Sequence, residues 1–215
     1  MFLSIKKIPN VSWSSSKPFN LKPKVSTLFF LCFGLTLFGL GEGLLVVSST
    51  GASPWTVLAQ GISLNVGFSI GTITLILSIA VLFLWVFLNQ KPGIGTLLNA
   101  LIMALMIDLC VKFVPTPENF ISQISLSIIA VFTVGLGGGI YLVANLGPGP
   151  RDGLMLGLQR KTNLPIAAVR VSLEITVVSI GWYLGGTVGF GTLFFALGIG
   201  PAVALGLLIV KKFFN

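Results

Sequence analysis

Residues 39–47, with the sequence GLGEGLLVV, decide the fold because the chain repeats them 96 positions later as GLGGGIYLV at 135–143. The match extends without a gap from residues 39–114 onto 135–210. The nine glycines of the first window and the sixteen of the second coincide at seven positions, where chance would align about two. The sequence therefore predicts an internal duplication.

The register holds far beyond the glycine run. Gly51 falls on Gly147, and Pro54 falls on Pro150. The turn at residues 93–97 (GIGTL) falls on 189–193 (GFGTL). A shared glycine-rich composition alone would not preserve this register, so we interpret the match as a duplication.

The composition is typical of a membrane protein. Hydrophobic residues make up 54% of the chain and charged residues only 8%, against roughly a quarter charged in soluble domains. The net charge of +8 comes from cations at the ends of apolar runs, whereas a nucleic-acid binder clusters them on one solvated face. We therefore expect the lipid bilayer, and no nucleic acid, as the surroundings of this chain.

Six apolar stretches are long enough to cross a bilayer, which takes about 20 residues. Two shorter ones, 54–65 and 150–161, predict re-entrant or interfacial helices. The predicted fold is all-α and polytopic, with six transmembrane helices at 26–47, 67–88, 95–114, 121–144, 165–184 and 190–210.

The cations set the expected orientation, because cytoplasmic loops are rich in Lys and Arg. Residues 1–25 predict a basic cytoplasmic tail, followed by a first membrane repeat at 26–114, a linker at 115–120 and a second repeat at 121–212. Both termini are expected in the cytoplasm. This orientation places eleven of the thirteen cations inside: Lys6, Lys7, Lys17, Lys22, Lys24, Lys91, Arg151, Arg160, Lys161, Lys211 and Lys212.

Three crossings per repeat have a geometric consequence. The second copy must enter the membrane from the opposite face, which predicts two inverted three-helix repeats. In transporters of this design the substrate site commonly lies near the midplane, where the repeats meet.

The repeated glycines have two interpretations. They could form an unwound stretch that lines a pathway, or they could allow close packing of helices. The candidate hinge or packing glycines are Gly39, Gly41, Gly43, Gly93, Gly95, Gly135, Gly137, Gly139, Gly189 and Gly191.

Each short stretch opens with a helix-start signal. Ser53-Pro54 and Gly149-Pro150 place an N-cap before a proline at the first helical position. If such a helix points its N-terminus into the membrane, its free N–H groups and positive dipole end form an anion-binding arrangement. Lying flat at the interface is the alternative.

Ionisable residues inside the spans are candidates for function because each is costly in hydrocarbon. Glu42 has no charged counterpart, since it falls on Gly138. It could couple transport to a proton or cation, or snorkel to the outer interface. Asp108 lies near the outer end of its span, where Lys112 is a neighbour at helical spacing.

Two further charge pairs occur in the second repeat. Arg170 and Glu174 stand four residues apart, so they share a helix face and can pair, as a clamp for substrate or as a self-neutralising pair. Arg151 and Asp152 open the second short helix. Arg151 could bind an anionic ligand or serve only as a topogenic charge, and Asp152 suits a first helical turn.

The residues for catalysis are missing. The chain has no His, and its two cysteines lie in separate apolar runs, so we expect no enzyme, no catalytic residue, no metal and no cofactor.

Several of these segments resemble a known family. Residues 39–43, the string Gly51-Ala52-Ser53-Pro54-Trp55, the Gly93-x-Gly95-Thr96 turn and residues 146–155 (LGPGPRDGLM) are similar to the YczE/YyaS/YitT family of bacterial integral membrane proteins, nearest to its YczE branch. The resemblance covers about residues 28–210 and implies a multi-pass protein of the bacterial inner membrane. It implies no catalytic residues.

Two hypotheses of function remain. The first is a secondary transporter or exporter of a small anionic or zwitterionic solute, with Arg151, Arg170 and Glu42 along the path. The second is a non-transporting membrane subunit or assembly factor of another complex. The first predicts a self-contained monomer or homo-oligomer, and the second predicts a stoichiometric membrane-protein partner.

Overall fold

The protein folds as eight α-helices in a computed structural model that describes residues 8–214. Six of the helices are long and apolar enough to cross a membrane, and no strand occurs in the described part of the chain. This confirms the all-α, polytopic prediction. The helices are α1 (Val25–Val47), α2 (Pro54–Val66), α3 (Ile70–Phe87), α4 (Ile94–Phe113), α5 (Phe120–Ala144), α6 (Pro150–Thr162), α7 (Ile166–Tyr183) and α8 (Phe190–Phe214).

The turns after α1 and α5 share an unusual backbone conformation. Ser49 and Asn145 have φ angles of 57° and 52°, and Gly51 and Gly147 have φ angles of 114° and 106°. The two glycines therefore occupy a region that side-chain-bearing residues rarely adopt. The pairs are 96 positions apart, so both copies of the repeated sequence turn back in the same way before a short helix.

Helices α1 and α5 form a closely packed antiparallel pair at the centre of the protein. A Cβ atom added to Gly34 would lie 2.7 Å from the backbone nitrogen of Tyr141, and one added to Gly41 would lie 2.7 Å from that of Val134. From the α5 side, Gly137 fits against the backbone of α1. Small residues are needed here because lipid supplies no hydrophobic drive between helices, so close packing must hold them together.

The outer glycines of each run face a different helix. Gly39 and Gly43 contact α4, and their counterparts Gly135 and Gly139 contact α8. Both runs lie inside uninterrupted helix. The interpretation of an unwound stretch is therefore wrong, and the close-packing interpretation describes these residues.

The start of each last helix contacts the other half of the chain. The Gly95 amide donates to the Leu146 carbonyl at 2.8 Å, and the Gly191 amide donates to the Thr50 carbonyl at 2.9 Å. These two bonds correspond under the shift of 96 residues. Gly93 and Gly189, two residues earlier, lie so close to the same carbonyls that a side chain would not fit there.

The peripheral helices make corresponding contacts between the two halves but pack differently within each half. Helix α2 lies against α7, and α6 lies against α3. Helix α3 also packs along α4, where Gly71 fits against Ala104 and Asp108. The described residues of α7 and α8 make no comparable contact. One side of the bundle is therefore closed and the corresponding side is open.

The segment before α1, predicted as a basic tail, keeps Lys17, Lys22 and Lys24 exposed but anchors one aromatic side chain in the bundle. Trp13 is only 3% exposed and packs against the rings of Phe30 and Phe214. It therefore joins the first turns of α1 to the last turn of α8. Lys6 and Lys7, which belong to the predicted tail, lie outside the described residues.

A test of the central packing is to replace Gly137 by Ala. The new Cβ would lie 2.6 Å from the Gly34 carbonyl oxygen, and overpacking of this kind costs about 1–3 kcal/mol. We expect the free energy of unfolding in mixed micelles to fall by that amount. Gly200→Ala, in α8, is the control because a Cβ there meets nothing within 4 Å. Equal stability of both variants would contradict the packing role.

Candidate functional site

A cavity of about 270 Å³ lies between six of the helices. It is bounded by parts of α1, α2, α5, α6, α7 and α8, and it lies where α7 and α8 do not pack together. Seven of the eight sequence-predicted path residues line it: Glu42, Ser53, Pro54, Arg151, Asp152, Arg170 and Glu174.

Glu42 is fully buried at the wall of this cavity. Its Oε2 accepts hydrogen bonds from the hydroxyls of Ser53 at 2.6 Å and of Thr56 at 2.7 Å. Its Oε1 has no hydrogen-bond partner among residues 8–214. Glu42 is therefore not the snorkelling surface carboxylate that the sequence left open.

The start of α2 is built around this carboxylate. Ser53 is the N-cap residue and Pro54 the first helical residue, as predicted, but the Ser53 side chain caps no backbone amide. Its hydroxyl turns to Glu42 instead. The positive end of the α2 dipole thus faces a negative side chain, which is a favourable arrangement.

Arg151 extends from the first turn of α6 toward the same carboxylate. Its Nη1 lies 3.8 Å from Glu42 Oε1, and its guanidinium lies 5.6 Å from the centroid of the Trp55 ring. Its side chain is only 22% exposed. Arg151 is therefore largely buried among the helices that surround the cavity.

Trp55 and Arg151 are corresponding residues of the two repeats, being 96 positions apart. Their contact means that the first turns of α2 and α6 meet at the cavity. A cation over a Trp face gains about 0.5–2 kcal/mol, more where water is excluded.

Asp152 follows Arg151 and accepts a hydrogen bond from the hydroxyl of Tyr141 on α5. It occupies the first turn of α6, as predicted. Pro150, the remaining candidate, does not line the cavity. Its carbonyl accepts a hydrogen bond from the Trp85 indole at 3.0 Å, which fixes the start of α6 against α3.

Arg170 and Glu174 form an ion pair on α7, with Nε 2.8 Å from Oε1. Their side chains are 42% and 24% exposed. Both also line the cavity, so the pair is at once self-neutralising and available to a ligand.

Asp108 has other partners than the neighbouring Lys112. It accepts hydrogen bonds from the Ser69 hydroxyl at 2.6 Å and from the Gly71 amide at 2.7 Å. The Lys112 ammonium lies over the Phe113 ring. Asp108 therefore binds the N-terminus of α3 and fastens it to α4.

Some site residues carried little or no signal in the sequence. Tyr141 and Trp55 read as ordinary residues of apolar helices, and only the fold brings them to the charged groups. Thr56 had a weak signal, since it follows Ser53 at a helical spacing. The apolar part of the cavity wall is also assembled by packing alone: Phe38, Phe195, Ile199 and Val203.

These features define a class: a helical membrane protein with acidic and basic side chains inside its bundle, around one cavity. The chain belongs to a family of unknown function, DUF6198, whose profile matches residues 25–206. This confirms the resemblance to YczE and YyaS.

Relatives cover most of the chain. An uncharacterised protein of Haemophilus influenzae is 39% identical over 97% of this chain and 94% of its own length. The uncharacterised membrane protein YczE of Bacillus subtilis is 32% identical over 79% of this chain and 77% of its own. The uncharacterised protein YyaS of Bacillus subtilis is 27% identical over 74% of this chain and 82% of its own length. No solved structure matches.

The hydroxyl contact to Glu42 is testable with Thr56→Val, which keeps the shape of the side chain. A hydrogen bond to a charged group is worth about 1.5–3 kcal/mol, so the unfolding free energy should fall by that amount. The matched control is Thr133→Val, because the hydroxyl of the half-buried Thr133 donates to the Ile129 carbonyl of its own helix and does not contact Glu42. In a Glu42→Gln background the effect of Thr56→Val should shrink, and an undiminished effect would contradict the assignment.

Proposed function

We propose that this protein is a secondary transporter or exporter of a small anionic or zwitterionic solute, which it moves without chemical change. The observation that carries the proposal is that Glu42, Arg151 and Arg170 line one cavity. Glu42 comes from α1, in the first half of the chain, and the two arginines come from the consecutive helices α6 and α7 in the second half. The cavity they share is the solute site in this proposal.

The energetic cost of these residues supports the proposal. A charged side chain at the centre of a membrane helix costs about 3 kcal/mol or more. The fold shared by the two copies does not need these charges, since the counterparts of Glu42, Arg170 and Glu174 are Gly138, Thr74 and Ser78. Charges that the scaffold does not require are best explained by a function.

An inverted arrangement of the two repeats is part of the proposal. Its support is the pair of corresponding bonds in which Gly95 reaches the loop after α5 and Gly191 reaches the loop after α1. Repeats with opposite orientations make such reciprocal contacts across a pseudo-two-fold axis. We also propose that both termini face the cytoplasm and that the membrane is the bacterial inner membrane.

The unequal packing of the two halves suggests how the cavity opens alternately to the two sides of the membrane. At Thr74 and Ser78, which correspond to Arg170 and Glu174, the first half has only a hollow of about 10 Å³. We propose that the halves exchange conformations, so that α7 closes on α8 while α3 parts from α4. Rocking of one repeat against the other is the usual motion of inverted-repeat carriers.

The topology is tested by cysteine labelling of corresponding loop residues. Pro92 and Val188 are both exposed and lie 96 positions apart, and neither replacement removes a charge. In a background without Cys32 and Cys110, Pro92→Cys should react from the cytoplasmic side and Val188→Cys from the outer side. Labelling of both from one side would rule out inverted repeats.

Transport is tested in proteoliposomes with a broad panel of small anions and zwitterions. We expect the wild-type protein to transport at least one of them. The Arg151→Gln variant should lower that flux by about tenfold or more, because it loses one charged contact to the solute. Arg160→Gln is the matched control, because Arg160 is an exposed arginine of the same helix.

The opposite outcome has a defined meaning. If neither solute nor protons move with any compound of the panel, the transporter proposal fails. Retention of a stoichiometric membrane-protein partner in mild detergent would then favour the subunit or assembly factor.

A further inference from the structure

The two oxygens of the Glu42 carboxylate are in different surroundings. Oε2 accepts two hydroxyl hydrogen bonds, whereas Oε1 is buried and accepts none from the part of the chain that the structure describes. A buried carboxylate oxygen without a donor is costly. Since Glu42 lines the cavity, a ligand there is well placed to supply the missing donor.

Arg151 is the complementary group. Its Nη1 is 3.8 Å from Glu42 Oε1, which is too long for a hydrogen bond. Within residues 8–214 the main contact of its guanidinium beyond Glu42 is the face of Trp55, which uses none of its five N–H donors. A negative acceptor and a positive donor group thus stand side by side with capacity to spare.

The other charged groups of the cavity have closer partners within the protein than Glu42 Oε1 and Arg151 have. Arg170 pairs with Glu174 at 2.8 Å, and Asp152 accepts the Tyr141 hydroxyl. The Tyr141 hydroxyl carries no charge, so the formal charges of the three acidic and two basic side chains at the cavity sum to −1, while Glu42 and Arg151 by themselves balance. A zwitterion leaves this sum unchanged, whereas an anion would add a second negative charge in a medium of low dielectric constant.

The size and the walls of the cavity narrow the ligand further. Its volume of about 270 Å³ corresponds to roughly nine water molecules at about 30 Å³ each. Phe38, Phe195, Ile199 and Val203 form its apolar part. This suits a compact molecule with an apolar portion next to its charged portion.

We infer that the cavity binds a small zwitterion of the α-amino acid type, with its ammonium group on Glu42 Oε1, its carboxylate on Arg151 and its side chain against the apolar wall. This inference rests on the proposed function, since it names the class of solute that the transporter would carry. The binding of that solute can be measured independently of transport.

The test uses leucine with its two half-charged analogues, 4-methylpentanoate and 3-methylbutylamine, which lack the ammonium and the carboxylate. Binding to the purified full-length protein is measured by calorimetry in detergent, alongside glycine, alanine, valine and phenylalanine. We expect at least one aliphatic amino acid to bind. Leucine should bind more tightly than either analogue by about tenfold or more, because each analogue lacks one of the two charged groups and loses one contact.

Two variants test which side chain binds the ammonium group of the ligand and which binds its carboxylate. Glu42→Gln should weaken amino-acid binding by about tenfold or more and abolish the preference of the site for leucine over 4-methylpentanoate. Arg151→Gln should abolish the preference over 3-methylbutylamine. Arg160→Gln should bind like wild type. The wild-type comparison of the three ligands decides the question even if a variant does not fold.

The inference is overturned if no amino acid of the panel binds, or if either analogue binds as tightly as leucine. Flux of another solute without amino-acid binding would remove this inference and keep the transporter. Amino-acid binding without flux would keep the site and remove the transporter.

Discussion

The close approach of α1 and α5 is the constraint on which the rest of the structure depends. Lipid does not drive helices together by the hydrophobic effect, so the pair is held by packing that only small residues permit. Gly34, Gly41 and Gly137 bring the two backbones into contact. The neighbouring glycines seat α4 on α1 and α8 on α5, and this central group then fixes where the loops after α1 and α5 turn back.

The buried carboxylate of Glu42 depends on that arrangement. A charge at this position would be very costly without partners. The turn after α1 returns the chain so that Ser53 and Thr56 both donate to Glu42, and α6 brings Arg151 beside it. The positions of the two short helices and the buried carboxylate of Glu42 therefore depend on each other.

Divergence between the two copies creates the site. The features that the copies share, such as the glycine contacts and the turns with positive φ at Gly51 and Gly147, build the scaffold. The positions at which they differ carry the chemistry. Arg170 and Glu174 line the open cavity of the second half, while Thr74 and Ser78 lie at a nearly filled hollow in the first. A symmetric scaffold thus holds an asymmetric set of charges.

The sequence by itself determined the six long helices, the two short ones and most of the charged residues at the cavity. These depend on local properties: the length of apolar runs, proline at a helix start and the cost of a charge in lipid. Only the tertiary structure decided that Glu42 meets Arg151, that Asp108 binds the start of α3 and that Trp13 packs into the bundle. Such contacts join residues far apart in the chain, and their existence depends on which helix faces pack together, which no local pattern encodes.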